Sequence, residues 1–139
     1  RRIRHRAAMD VLRRSYDGAS RNRLNSSWAT PSTSADTEIA QAGLAACISV
    51  GIQAIATHRG VTLTKIDIDI ESDIDVSPTW GVGDLAEDKR PGVSDVRVKI
   101  DLEGDADRET LDQIQKDAIK WSPVVNTYTR PANLTSELV

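Results

Sequence analysis

The stretch DTEIAQAGLAACISVGIQAIATHRG, residues 36–60, decides the fold of this chain. It contains no proline, carries few charges and holds the only cysteine, Cys47. Asp36 and Thr37 are residue types that cap helix N-termini, and Gly60 stands where a C-capping glycine belongs. At 1.5 Å per residue, such a helix is about 34 Å long, the width of a small domain. We therefore predict one long, mostly buried helix.

One face of this helix carries an unusual row of small residues. Positions spaced by three and four share a helix face, and here they read Ala40, Gly43, Cys47, Gly51, Ala54 and His58. Two glycines inside a helix cost about 1 kcal/mol each relative to alanine, a cost that is reasonable where another backbone packs very close. The larger apolar residues lie on the other faces: Ile39, Leu44, Ile48, Ile52 and Ile55. We expect packing on both sides, with the cysteine in the middle of a groove.

The composition is that of one soluble domain: 139 residues, 39% hydrophobic and 28% charged. We find no apolar run long enough to predict a membrane span, and a single cysteine fits a reducing, cytoplasmic setting.

The charge is unevenly distributed along the chain. Residues 1–23 hold eight arginines against two aspartates, whereas the whole chain has a net charge of −3. One interpretation is that this arm binds nucleic acid. The other is that it packs on the acidic remainder of the chain or on a partner subunit. The lack of a basic stripe or stacking aromatics elsewhere favours the second interpretation.

The rest of the pattern predicts an α+β domain over residues 36–139, preceded by an Arg-rich arm or hairpin over residues 1–35. Residues 1–14 are compatible with a short amphipathic helix, and residues 9–28 with a hairpin. Residues 61–76 and 93–102 alternate apolar and polar side chains, as half-buried antiparallel strands do. We interpret the acidic row of the first strand as the solvated face of a sheet rather than a cation site.

A second helix is predicted over residues 106–121, with a buried stripe made by Leu111, Ile114, Ala118 and Trp121. Pro123 interrupts this helix and begins a short helical segment. Residues 132–139 are predicted to form a last strand.

Three stretches resemble the OsmC/Ohr family of osmotically inducible and organic hydroperoxide resistance proteins. They read AGLAACISVGIQAIATHRGVTLTKIDIDIE at 42–71, GVGDLAEDKRPGVSDVRVKIDLEG at 81–104 and IKWSPVVNTYTRPANLTSEL at 119–138. The resemblance implies an OsmC-like fold of antiparallel sheets with long central helices, assembled as an intertwined homodimer. The N-terminal arm would then be a candidate for exchange onto the partner subunit. No metal or other cofactor is expected.

In the peroxidases of this family, a cysteine on the long helix attacks the hydroperoxide and a second cysteine resolves the sulfenic acid as a disulfide. The resemblance assigns the first role to Cys47. Ser122, in the sequence Ser-Pro-Val, falls at the position of the resolving cysteine. A serine cannot form a disulfide, so the two-cysteine cycle is impossible within this chain.

The same peroxidases use a glutamate and an arginine that activate the thiol and bind the peroxide. The position of the family's glutamate is Thr37 here, and Glu38 stands one residue further along the helix. One residue turns a helical side chain by about 100°. The arginine would be Arg21 or Arg23.

Cys47 therefore has two interpretations: a thiolate nucleophile, which needs a cation from elsewhere, or a small buried residue at a helix crossing. The first makes the protein a one-cysteine hydroperoxide reductase that uses an external thiol, since its sulfenic acid must be reduced or over-oxidise. A second hypothesis is a non-catalytic OsmC-fold protein that binds a small apolar ligand at the dimer interface. A third is a nucleic-acid-binding module that uses the Arg-rich N-terminus.

Overall fold

A computed structural model describes residues 2–10, 35–75, 86–87, 92–130 and 132–138. In chain order the elements are β1 (Arg2–Asp10), α1 (Ala35–His58), β2 (Leu63–Asp75), β3 (Gly92–Gly104), α2 (Arg108–Trp121) and α3 (Pro123–Thr129). The predicted α+β class is confirmed. The long helix, the two alternating strands, the second helix and the short segment after the proline all form where the sequence predicts them.

Helix α1 is the central element, and its buried face packs between the sheet and α2. Leu44, Ile48 and Ile52 on this face are at most 2% exposed. The helix ends at His58, and Gly60 follows with a φ of 70°. Glycine adopts this left-handed conformation at little cost, which is why it ends helices so often.

By length and composition alone, α1 could also cross a membrane, since its Ile39–His58 window has a mean hydropathy of 1.7. This corrects the prediction that the chain has no such stretch. The alanines and glycines between the isoleucines keep the average apolar without making a continuous run of large side chains. The core helix of a soluble protein passes the same test, and the buried face of α1 is used against the sheet and α2.

The sheet has the order β1-β2-β3 and is antiparallel throughout. The alternation predicted for β2 is confirmed: Ile66, Ile68 and Ile70 are at most 1% exposed and point into the core. On the opposite face, cross-strand ion pairs join β2 to β3. They link Lys65 to Asp101 and Glu103, and Arg97 to Glu71 and Asp73.

The first strand overturns one alternative for the N-terminus. Residues 2–10 form a strand, so the amphipathic helix predicted over residues 1–14 is wrong there. The register sets Arg2, Arg4 and Arg6 opposite Asp75, Asp73 and Glu71. The sequence of the arm alone could not reveal this partner strand. The hairpin predicted over residues 9–28 falls almost wholly outside the described residues.

Two predictions near the C-terminus are also wrong. Trp121 is 70% exposed, and Lys120 Nζ lies 5.0 Å from its ring centroid. The next buried position after Ala118 is four residues on rather than three, at Ser122, which is 4% exposed. Residues 132–138 form no strand, because no neighbour pairs with their backbone within the described part of the chain.

Candidate functional site

The site is built where α1 meets the junction of α2 and α3. Helix α1 carries Cys47, which is half-buried, and the junction carries Ser122, which is nearly fully buried. The Cys47 Sγ and Ser122 Oγ atoms lie 3.2 Å apart, within hydrogen-bonding distance for sulfur. The two residues are 75 positions apart in sequence, so the fold alone brings them together.

The junction holds Ser122 in place through its role as the N-cap of α3. Its Oγ accepts the N–H of Val125 at 3.2 Å, and Pro123 starts the helix. The Asn126 side chain donates to the carbonyl oxygens of Ser122, at 2.8 Å, and Lys120, at 3.1 Å. Since one lone pair of Ser122 Oγ is used by Val125, its hydroxyl proton can point at the cysteine sulfur.

Helix α2 reaches α1 through the small-residue row. A Cβ placed on Gly51 would stand 3.5 Å from the Cβ of Ala118, an ordinary van der Waals distance, so α2 contacts this position without coming close enough to require a glycine. At Gly43 no atom of the described residues lies within 4 Å of the equivalent point. The two glycines therefore differ: one packs against α2, and the other has no near neighbour among the described residues.

A cavity of about 310 Å³ lies between α1, β3, α2 and α3, and neither Cys47 nor Ser122 lines it. Leu44 lines it three residues before Cys47, and Val125 lines it three residues after Ser122. Its remaining lining is largely apolar: Val96, Val98, Ile100, Gln115, Ile119, Tyr128 and Thr129. Burial raises the pKa of the Tyr128 phenol, so this group keeps its proton at neutral pH and can act as a hydrogen-bond donor.

The predicted site residues fall into three groups. Cys47 and Ser122 are brought into contact. Glu38 lies in the first turn of α1, and the structure describes the position of its backbone only. Arg21 and Arg23 lie outside the described residues. Within the described ranges, no group of three or more His, Cys, Asp or Glu residues could hold a metal ion.

Two features of the site had no strong signal in the sequence. Asn126 fixes the backbone of Ser122, and the only clue was an asparagine four residues after it. Gln41 is fully buried, and its amide nitrogen donates to Ser72 Oγ on β2. Its Oε1 atom has no hydrogen-bond partner among the described residues. Gln41 was not predicted to be a core residue, because it is polar and stands between two alanines in the sequence.

Comparison with known proteins agrees with this architecture. The sequence model of the family described as OsmC-like protein matches residues 37–137, which include all of β2, β3, α2 and α3 and nearly all of α1. No curated protein matches the chain closely enough to count as a relative. The match covers well over half of the sequence and contains both members of the Cys47–Ser122 pair, so the chain belongs to the OsmC-like protein family.

Proposed function

We propose that this protein is a one-cysteine thiol peroxidase that reduces organic hydroperoxides through Cys47 and is recycled by an external thiol. The 3.2 Å contact between Cys47 Sγ and Ser122 Oγ carries the proposal. The half-buried position of Cys47 leaves the sulfur within reach of a small molecule, and the neighbouring hydroxyl can hydrogen-bond to the sulfur during the reaction. External thiols are available in the reducing, cytoplasmic setting that we propose for the protein.

The chemistry proceeds in three steps. The Cys47 thiolate attacks the terminal oxygen of the hydroperoxide, the O–O bond breaks, and the alkoxide leaves and takes a proton to become an alcohol. An external thiol then attacks the sulfenic acid, which forms a mixed disulfide and releases water. A second thiol displaces the first one, which regenerates Cys47 and yields the oxidised external disulfide. The residue at 122 takes no part in bond making, and Arg21, Arg23 and Glu38 are the proposed groups for thiol activation and peroxide binding.

The test measures consumption of an organic hydroperoxide in the presence of a dithiol reductant. We expect turnover by the unaltered protein, none by Cys47→Ser, and slower turnover by Ser122→Ala, which keeps the thiol but removes the neighbouring hydroxyl. A Lys116→Ala variant, altered at an exposed position of α2, serves as the control and should match the unaltered protein. Equal inactivity of the unaltered protein and Cys47→Ser would refute the peroxidase.

The cavity supports a second candidate, a non-catalytic protein that binds a small apolar ligand. Its volume of about 310 Å³ lies at the lower end of the range of small-molecule pockets. Binding of a short-chain alcohol or similar probe should raise the melting temperature equally in the unaltered protein and in Cys47→Ser. Val98→Glu, which puts a charge on the apolar wall, should abolish that increase. A melting shift that needs the thiol would favour the peroxidase instead.

We also propose that the protein is a homodimer joined through α1. The outer face of this helix exposes Ile39 to 61% and Val50 to 68%, and no atom in the described part of the chain stands within 4 Å of a Cβ placed on Gly43. These features suit close packing of a second copy of α1. Sedimentation should give a dimer, and a Gly43→Leu variant should shift the population toward monomer. Unchanged sedimentation of that variant would place the dimer contact elsewhere.

A further inference from the structure

The break between α2 and α3 interrupts the hydrogen bonding of the backbone. Helix α2 ends at Trp121 and α3 begins at Pro123, so Ser122 alone separates them, with an extended backbone at φ −66° and ψ 121°. The carbonyl groups in the last turn of a helix have no N–H partner within that helix. At this break, the side chain of Asn126 on α3 supplies donors to them.

The Asn126 amide bonds to both sides of the break. Its Nδ2 atom lies 3.1 Å from the carbonyl oxygen of Lys120, in the last turn of α2, and 2.8 Å from that of Ser122, the cap of α3. A primary amide carries two N–H donors, which matches these two acceptors. One side chain of α3 therefore ties down the end of α2 and the residue between the two helices.

The neighbouring side chains of α3 make local bonds instead. The hydroxyl of Thr127 donates to the carbonyl oxygen of Pro123 at 3.0 Å, and that of Thr129 donates to the carbonyl oxygen of Val125 at 3.1 Å. Both bonds reach back by one turn and stay inside α3. Thr127 thus provides a comparison for Asn126: an adjacent polar residue whose bond does not cross the break.

The geometry of the break determines how residue 122 meets the cysteine. Ser122 Oγ lies 3.2 Å from Cys47 Sγ, and its position depends on the angle between α2 and α3 because it stands between them. A contact of this kind needs its partners held to about half an ångström by surrounding hydrogen bonds. The bonds from Asn126 limit the angle between the helices and with it the direction of the Ser122 side chain.

We propose that Asn126 is a positioning residue that holds the side chain of residue 122 against the Cys47 sulfur. The inference deepens the proposed function, because it concerns the contact that carries that proposal. It gives Asn126 a role that involves no contact with a substrate. Without the two amide donors, the ends of α2 and α3 separate more freely, and residue 122 meets Cys47 less often.

The experiment uses Ser122→Cys as a reporter of how often the two side chains meet. The dithiol is equilibrated with glutathione disulfide, which takes up two electrons and two protons to become two glutathione thiols while the internal disulfide forms. Mass spectrometry of the disulfide-bonded fraction then gives the effective concentration of one thiol at the other. In this background, Asn126→Asp should lower the effective concentration at least tenfold. Thr127→Val is the matched control and should stay within twofold of the reporter alone.

A second substitution separates the loss of the donors from the added charge. Asn126→Leu is close to asparagine in size, is neutral and also lacks the donors, so it should lower the effective concentration to a similar extent. Urea unfolding is measured for every variant, and the glutathione experiment is run where each one is fully folded. A general loss of stability then does not contribute to the result.

Three outcomes would overturn the inference. The first is that Ser122→Cys alone forms no internal disulfide. The second is an unchanged effective concentration in either Asn126 variant, and the third is an equal decrease in Thr127→Val. The disulfide forms without any peroxide, so an inactive protein with the expected disulfide pattern refutes the peroxidase and leaves this inference standing. An active peroxidase whose Asn126 variants keep the effective concentration refutes this inference alone.

Discussion

The hydroxyl of Ser122 contacts two hydrogen-bond partners, the Val125 N–H and the Cys47 sulfur. Val125 donates its N–H to the oxygen, and the Cys47 sulfur lies 3.2 Å away on the other side. An oxygen that accepts one hydrogen bond still has its own proton and a second lone pair, so it can donate to the sulfur or accept from it. The residue therefore combines two functions, the cap of α3 and a hydrogen-bond partner of the sulfur. A serine serves both, whereas the family's resolving cysteine would serve the disulfide step.

We predict that Ser122→Cys restores an internal disulfide. The two atoms now lie 3.2 Å apart, so a small rotation brings two sulfurs to the roughly 2.05 Å of a disulfide. One equivalent of hydroperoxide should convert both thiols to a disulfide, measured as loss of free thiols and a mass decrease of two hydrogens. Ser122→Ala is the control and should instead accumulate the sulfenic acid. Two free thiols after oxidation of Ser122→Cys would contradict the prediction.

Gln41 and Ser72 form a second polar pair that was not apparent in the sequence. Both residues are fully buried, and the amide oxygen of Gln41 is left without a partner among the described residues. Ser72→Ala should lower the free energy of unfolding by about 1–3 kcal/mol, because it leaves the whole amide unpaired in the core. Adding Gln41→Met should recover most of this loss, since both partners are then apolar. Urea unfolding of the single and double variants tests this, and additive losses would show that the two residues are not coupled.

At the scale of secondary-structure elements, the close approaches of the backbone differ from one glycine to another. Helix α2 stands an ordinary van der Waals distance from Gly51, whereas the described ranges place no atom within 4 Å of a Cβ built on Gly43. The tightest site lies at the end of β3, where a Cβ on Gly104 would come within 2.7 Å of the Thr62 carbonyl oxygen. The Thr62 carbonyl oxygen also accepts the Asp105 N–H, and the Thr62 N–H donates to Asp105 Oδ1, so this oxygen cannot easily move.

Alanine substitutions should therefore have opposite effects at two glycines. Gly51→Ala should keep or raise the free energy of unfolding by up to about 1 kcal/mol, because alanine favours the helix and its methyl group fits against Ala118. Gly104→Ala should lower it by about 1–3 kcal/mol, as overpacking does. The measurement is chemical unfolding of both variants. Equal effects of the two substitutions would show that the space around each glycine does not decide the outcome.

Over the whole molecule, local patterns predicted α1, β2, β3, α2 and α3, whereas β1 and the C-terminal segment depend on long-range pairing that local patterns do not show. The alternating isoleucines of β2 were enough to predict both the strand and its buried face. Gly43 and Gly51 look alike in sequence, and only the path of α2 distinguishes them. Trp121 was placed in the core because its spacing from Ala118 fits a helix face, but the chain turns at Ser122 and leaves the ring outside. The proximity of Cys47 to Ser122 came from the family resemblance, since no local pattern joins residues 75 positions apart.

Ion pairs and a helix cap lower the pKa values of three aspartates, and this makes the stability of the fold depend on pH. A hydrogen bond from Lys65 holds the pKa of Asp101 below its usual value, and Lys116 and Thr110 do the same for Asp112 and Asp107. A carboxylate with a lowered pKa in the folded protein stabilises the fold above its unfolded value of about 3.9, and the contribution is lost as the pH falls through the folded value. The pKa of Lys65 is raised, chiefly by its hydrogen bond to Asp101, so its contribution is lost only when the pH rises above its usual alkaline range.

We therefore predict a stability plateau around neutral pH and a steep decline below about pH 4. Urea midpoints measured from pH 2 to pH 7 should fall as these aspartates take up protons. Lys65→Gln should show a shallower decline, because Asp101 then loses the partner that lowers its pKa. Added salt should also flatten the curve, since these pairs are exposed and screened. A Lys65→Gln curve parallel to that of the unaltered protein would show that the acid sensitivity arises from other carboxylates.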